Sequence, residues 1–251
     1  MKFRMNGKEC KATINSVLVK GKWNSGTISK NMSLLSNIVI SIGDDCYMYN
    51  GDNHTYVRSK LNVDAEADIE EGRITVDAET LLKYLSNEET NFSLKDNILK
   101  LVSPTKTVKI PVLERHSNND AIIRTTENYT IHTDMEKVIS ISPKTTLDTR
   151  IKLSSKELTQ AIEACESVGN SIFQLDFDGE LLHITSSNDT EEVTVALEPI
   201  EILGDKATME VSAPFHKYLG GVTTILTYND DAPLSIISGG FVMLRAPRIG
   251  V

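Results

Sequence analysis

An α+β fold made of two tandem copies of one β-rich unit, with two helices in each copy, is predicted by three observations. A Lys-Tyr-Leu triplet recurs at residues 83–85 and 217–219, each time after a β-like run and a helix-capping residue, Asp77 or Ser212. Paired apolar runs recur at the same offset of 134 residues: "NIVISIGDDCYMYN" at 37–50 and "SIFQLDFDGELLHI" at 171–184. Both copies close in a strand meander, "NFSLKDNILKLVSPTKTVKIPVL" and "TILTYNDDAPLSIISGGFVMLRAP". Elements that match in order at one fixed offset are the mark of a duplicated unit.

In chain order, "KFRMNGKECKATI" reads as an additional hairpin over residues 1–15, turning at Asn6-Gly7, the dipeptide that tight hairpins prefer. The first-copy helix is predicted on "GKWNSGTISKNMSLLSN", where Ile28, Met32 and Leu35 share one face. A strand pair follows, turning at Asp44-Asp45, and then the acidic run "VDAEADIEEG", which reads as a solvated loop. Asp77 caps a short helix ahead of the first meander. Residues 114–149 are polar and weakly periodic, an interdomain connector with one added strand at "EKVISIS". The first domain is thus 1–113 and the second 150–251.

The second copy opens on a strand and a helix capped by Ser154 or Ser155, with Leu158, Ala161, Ile162 and Cys165 on one face. Its hairpin turns at Asp178-Gly179, and its second helix is capped by Ser212 with Pro214 in the first turn. The chain ends in "FVMLRAPRIGV": Phe241–Leu244 reads as a buried strand, and Pro247 cannot donate to a ladder, so pairing stops near it. An apolar, proline-stiffened tail beyond a finished strand asks for a purpose.

Composition narrows the function. The 251 residues are 40% hydrophobic and 24% charged, enough for a packed core. No apolar run reaches the roughly 20 residues needed to span a bilayer, and the first ten residues lack a signal-peptide core. Cys10, Cys46 and Cys165 are scattered, as are the five histidines, so no zinc spacing arises and a reducing, cytoplasmic setting is expected. "GKWNSGT" has the glycine spacing of a phosphate-binding loop but lacks the lysine that reaches the phosphates. Nucleophile-elbow, zinc-protease and dinucleotide motifs are absent. The expectation is a protein that is not an enzyme and has no cofactor. The net charge of −9 hides a basic start, where seven Lys and Arg face a single Glu9 within thirty residues; an acidic protein can hold a local basic surface.

With its "LRAPRI" end, "DDAPLSI" before it and "KIPVL" entering the connector, the duplicated unit resembles the DNA sliding clamps of the proliferating-cell-nuclear-antigen type, archaeal and viral members included. The resemblance runs from about residue 16 to the C-terminus. It implies two tandem clamp (processivity-fold) domains and a homotrimeric ring around duplex DNA, nucleoid-associated or inside a host cell if viral. It implies a processivity factor that tethers DNA polymerase and other replication and repair enzymes carrying short clamp-binding motifs, opened by a clamp loader. Helix lysines Lys20, Lys22, Lys30, Lys83, Lys152, Lys156 and Lys217 would face DNA. The subunit edges would be "TKTVKIPV", with Lys106, Val108, Lys109 and Ile110, against "EEVTVALE", with Glu191, Val193 and Val195. The tail gains a purpose as one side of a docking pocket built from Pro233, Leu244, Ala246, Pro247 and Ile249, with Tyr56, Ile122 and Ile123 as further candidates. The connector is longer than the family norm and no acidic tail follows Ile249. A monomeric clamp-fold factor and a hetero-trimeric checkpoint-type subunit remain open as other assemblies.

Overall fold

The first seventeen residues form a strand and a helix, not the expected hairpin. Strand β1 (Lys2–Asn6) runs directly into α1 (Gly7–Val17), and the Asn6 side chain caps the helix by accepting from the backbone N–H groups of Lys8 and Glu9. Gly7 is needed for close approach, not for a turn: a Cβ there would collide with the Ser86 carbonyl oxygen, while its own N–H donates to the Glu88 carbonyl at 3.0 Å. Cys10, Ile14 and Val17 form the buried stripe of α1.

The computed structural model describes residues 1–18, 37–51, 55–113, 139–142, 145–170, 172–212, 219–230 and 232–247. Two compact units divide the chain, Met1–Arg124 and Thr125–Val251. In the first unit β2 (Asn37–Ile42), β3 (Tyr47–Gly51), β4 (Thr55–Lys60) and β5 (Gly72–Asp77) form an antiparallel sheet in the order β4-β3-β2-β5. After α2 (Ala78–Tyr84), capped by Asp77 as expected, β6 (Glu89–Lys95), β7 (Ile98–Val102) and β8 (Thr107–Pro111) join β1 in a second sheet, β1-β6-β7-β8. The β6–β7 turn is two residues long, with Asp96 and Asn97 at φ 52° and 58°, the left-handed pair that a tight hairpin demands.

The second unit repeats that plan. A short pair, β9 (Ile139–Ser142) and β10 (Thr145–Leu147), leads to β11 (Thr149–Ser154) and α3 (Ser155–Glu166); β9 falls on the stretch expected to hold an added strand. Strands β12 (Ile172–Phe177), β13 (Leu182–Ser187), β14 (Glu192–Leu197) and β16 (Ala207–Ser212) order as β14-β13-β12-β16, with β15 (Glu201–Leu203) between β14 and β16 in sequence. β15 pairs instead with β11, and β17 (Thr223–Tyr228), β18 (Leu234–Ser238) and β19 (Phe241–Arg245) continue that sheet as β15-β11-β17-β18-β19. Strand for strand, β11-β17-β18-β19 corresponds to β1-β6-β7-β8, and β14-β13-β12-β16 to β4-β3-β2-β5.

The duplication is therefore genuine, but the first-copy helix lies earlier than the offset suggests. Nineteen residues separate α1 from β2, against five between α3 and β12. The helix expected on 21–37 and the one expected after Ser212 fall on residues outside the described ones, whereas α3 matches its expectation, with Ser154 as cap and Leu158, Ala161, Ile162 and Cys165 buried.

Alternation of apolar residues directs the cores. Phe173, Leu175 and Phe177 of β12 and Leu182 and Ile184 of β13 are each 0% exposed, the period-two signature of a sheet with one buried face. Phe3 and Phe92 stack across β1 and β6 with ring centroids 4.4 Å apart. Strands β17 to β19 are buried on both faces, with Leu226, Ile236 and Met243 in one cross-strand row and Ile225, Ile237 and Val242 in the next.

The acidic run is not a free solvated loop. Asp64 pairs with Arg4, Asp68 with Lys2 at 2.6 Å, and Glu70 exchanges backbone hydrogen bonds with Lys2 at 2.8 and 2.9 Å. It covers the outer edge of β1 much as β15 covers β11, and it neutralises two of the cations in the basic start.

Candidate assembly edges, helix faces and docking end

Several described strands end their sheets with a single partner, β15 with β11 and β16 with β12 among them, and two of these sheet-end strands carry the expected subunit edges. β8 pairs with β7 alone and β14 with β13 alone. Lys106 and Lys109 are exposed at the first edge and Val108 is half-buried, while Glu191 and Glu192 are exposed at the second with Val193 and Val195 half-buried. Ile110 is 2% exposed and points into its own core, so any part it takes in an interface comes through its backbone. One edge is thus basic and the other acidic, each with an apolar side facing a helix: α2 packs on β8 and α3 on β14.

The helix faces depart from a uniformly basic lining. Lys156 is exposed on α3, but Glu157 and Glu163 are exposed there too and Glu166 is half-buried. Lys152 lies on β11, its Nζ 3.1 Å from Glu201 Oε2, so its charge is largely spoken for. Lys83 is exposed at the end of α2, its Nζ 5.1 Å from the Tyr84 ring centroid. Lys20, Lys22, Lys30 and Lys217 lie outside the described residues. The first-unit helix instead offers Lys8, exposed, and Lys11, which donates to Asn87 Oδ1 at 2.7 Å. Sequence reasoning assigned both to a hairpin and so passed over them; the signal that finds them is Asn6 followed by Glu9, an N-cap with an acidic third residue.

Pro233 and Ala246 lie just beyond the paired residues Leu234 and Arg245, at one end of the β18–β19 ladder, and Pro247 is half-buried next to them. Leu244, opposite Ser235, is 2% exposed, so it forms a wall of the sheet and not an accessible contact. Ile122, Ile123 and Ile249 lie outside the described residues. In the first unit Tyr56 packs with Tyr47 on the Val39–Tyr49 cluster, and the Arg58 guanidinium sits 4.7 Å from the Tyr47 ring centroid.

Reactive chemistry is not evident among these groups. Burial pushes the Cys10 thiol up to about 12 and raises that of Cys165, which disfavours the nucleophilic thiolate in both. Among the described residues no three His, Cys, Asp or Glu side chains gather as a metal site, and no helix is long and apolar enough to cross a membrane.

No protein-family model matches the chain, and no curated protein sequence does. Solved structures do. The DNA polymerase sliding clamp from Bacillus subtilis matches 100% of this chain and 65% of its own, at 16% identity and a TM-score of 0.77. The DNA polymerase III beta chain from Streptococcus pneumoniae TIGR4 matches with the same coverage, at 13% identity and a TM-score of 0.75. This chain therefore spans only about two-thirds of the length of those bacterial chains. A. fulgidus PCNA, solved with the C-terminal region of FEN-1 bound, matches over 100% of this chain and 99% of its own, at 18% identity and a TM-score of 0.69. The duplicated pair of sheets described above is the fold of the DNA sliding clamps.

Proposed function

We propose that the chain is a DNA polymerase processivity factor: one subunit of a homotrimeric sliding clamp that encircles duplex DNA without reading its sequence. In this reading it is a scaffold and not an enzyme, and it tethers polymerase and other replication and repair enzymes to DNA once a clamp loader has opened it. The observation that carries the proposal is the two-unit clamp fold with two unlike sheet-end strands, β8 basic on one unit and β14 acidic on the other. Unlike edges on one chain pair head to tail, and such contacts either close into a ring or grow into a filament. Closure pairs β8 with β14, so neither is left as a template for further pairing. Two units per chain, over a length that coincides with A. fulgidus PCNA, favour three subunits.

Lys106 and Lys109 of one subunit would then approach Glu191 and Glu192 of the next, each exposed pair contributing about 0.2–1 kcal/mol. Lys8 and Lys11 on α1 join Lys20, Lys22, Lys30, Lys83, Lys152, Lys156 and Lys217 as candidate phosphate contacts, which hold without specifying sequence. Enzymes would dock at the end of the β18–β19 ladder, where Pro233, Ala246 and Pro247 form a stiff apolar rim that loses little entropy on binding. Leu244 would be its wall, with Ile249, Tyr56, Ile122 and Ile123 as further contacts.

Two measurements test the proposal. Light scattering after size exclusion, over a dilution series, should give a mass near three times the 27.8 kDa of one chain. Loaded onto nicked circular plasmid, the protein should stay bound until the plasmid is cut to a linear form, then slide off. A persistent single-chain mass, or equal retention on circular and linear DNA, refutes the ring.

A further inference from the structure

A groove of about 320 Å³ lies between α3 and β14, walled by Ala161, Ala164, Val195 and Leu197 and flanked by Glu157 and Glu198. It opens beside the acidic strand edge. On the other unit, α2 flanks the basic edge and ends in Tyr84, a large aromatic left 39% exposed. From these two features we infer that Tyr84 of one subunit inserts into the α3–β14 groove of the next, carrying the Lys83 ammonium to its carboxylate rim. The inference rests on the ring proposed above and names the side chain that locks its interface.

Three physical arguments select this occupant. A sheet continued from β8 to β14 across subunits keeps its apolar side on one face, because Val108 and Ile110 of the first strand match Val193, Val195 and Leu197 of the second. Adjacent strands lie about 4.8 Å apart, so α2 and α3 on that face become neighbours. Small residues, Ala161 and Ala164, leave room between α3 and β14 where a large side chain must enter, and an aromatic ring is the anchor that interface pockets favour. Charge agrees as well: Lys83 lies against the Tyr84 ring, and the groove is flanked by Glu157 and Glu198. Inserted, the ring is desolvated and its attendant cation meets two carboxylates.

The test uses the full chain. Light scattering of the unaltered protein comes first, since a single-chain mass there removes the ring itself and this contact with it. Given a trimer, Tyr84→Ala should raise the concentration of half-dissociation tenfold or more, whereas Tyr84→Phe should leave it within about threefold. Ala164→Phe, which fills the groove from its own side, should weaken assembly as Tyr84→Ala does. In a Cys46→Ser background, Tyr84→Cys combined with Ala164→Cys should give disulfide-linked multimers on mild oxidation, and neither single variant should. A trimer that survives Tyr84→Ala unchanged and yields no cross-link overturns the inference while leaving the ring intact. So does a Tyr84→Ala trimer of normal stability whose sole defect is shorter retention on DNA, which would place the tyrosine on the nucleic acid instead.

Discussion

Replacing Lys8 by Ala tests which helix of the first unit meets DNA. Lys8 is exposed on α1, the helix that stands in the place of α3 in the repeat. In a homotrimer the substitution removes three cations. Each phosphate contact on duplex DNA contributes about 0.9 to the slope of log affinity against log salt. If all three lysines engage at once the slope falls by up to about 2.7, and if an inclined duplex meets one at a time, by about 0.9. Over a fourfold change in salt that spans a loss of salt sensitivity from about 3.5-fold to about fortyfold. Lys156→Ala should do less, because Glu157, Glu163 and Glu166 share its helix and repel the same phosphates. The assay is fluorescence anisotropy of a labelled duplex titrated with each variant between about 50 and 200 mM salt. An unchanged slope in Lys8→Ala beside a reduced one in Lys156→Ala would refute the assignment of α1 to the DNA face.

The remaining predictions concern the scaffold. Ser154→Ala removes the side-chain cap that accepts from the Glu157 N–H at the start of α3, and should cost about 1 kcal/mol, read as a lower denaturation midpoint at unchanged slope. Asp178 is held down to about 2 by the backbone N–H groups of Leu181 and Glu180 and then by His183. Its contribution to stability is complete above the ordinary carboxylate range near 3.8 and is lost as pH falls through about 2. Asp178→Asn should flatten that part of the acid denaturation curve; an unchanged curve would show that the turn carbonyls, not the carboxylate, hold the β12–β13 hairpin. A thiol reagent should modify the half-buried Cys46 first in the native protein, with Cys10 and Cys165 responding only on unfolding, since both are buried.

What the sequence revealed and concealed follows from the range of the signals. The repeat was legible because buried strands must keep alternating apolar residues and hairpins must keep their turns: Asp178-Gly179 needs the positive φ that Gly179 supplies at 102°. Asn6-Gly7 misled for the opposite reason. The same two letters serve a tight turn through backbone conformation, or a helix start through a side-chain cap and a close approach. Only Ser86, eighty residues away in sequence, decides between them, because its carbonyl occupies the space a Cβ would need. The acidic run misled in the same manner: its partners Arg4 and Lys2 lie 60 and 66 residues upstream. Of the candidate site, the strand edges follow from the family resemblance and the burial of Leu244 from its apolar run, whereas the burial of Ile110 is set by packing that no local pattern reports.

The placement of its cations decides how an acidic protein of net charge −9 would hold a polyanion. Lys2 and Arg4 are committed to the acidic loop and Lys152 to Glu201, and in the proposed ring Lys106 and Lys109 are committed to the neighbouring edge. With Lys83 drawn to the carboxylate rim of the neighbouring groove, the described cations considered for DNA come down to Lys8, Lys11 and Lys156, set against the carboxylates of α3. Phosphate contacts that read no bases give salt-sensitive binding that any open end of the duplex would release. In the proposed ring, retention comes from topology: a closed ring holds DNA however weakly its inner face binds it, and weak binding lets the ring move. A strongly basic inner face would oppose that motion, so the acidic residues of α3 suit a ring whose grip depends on closure at β8 and β14.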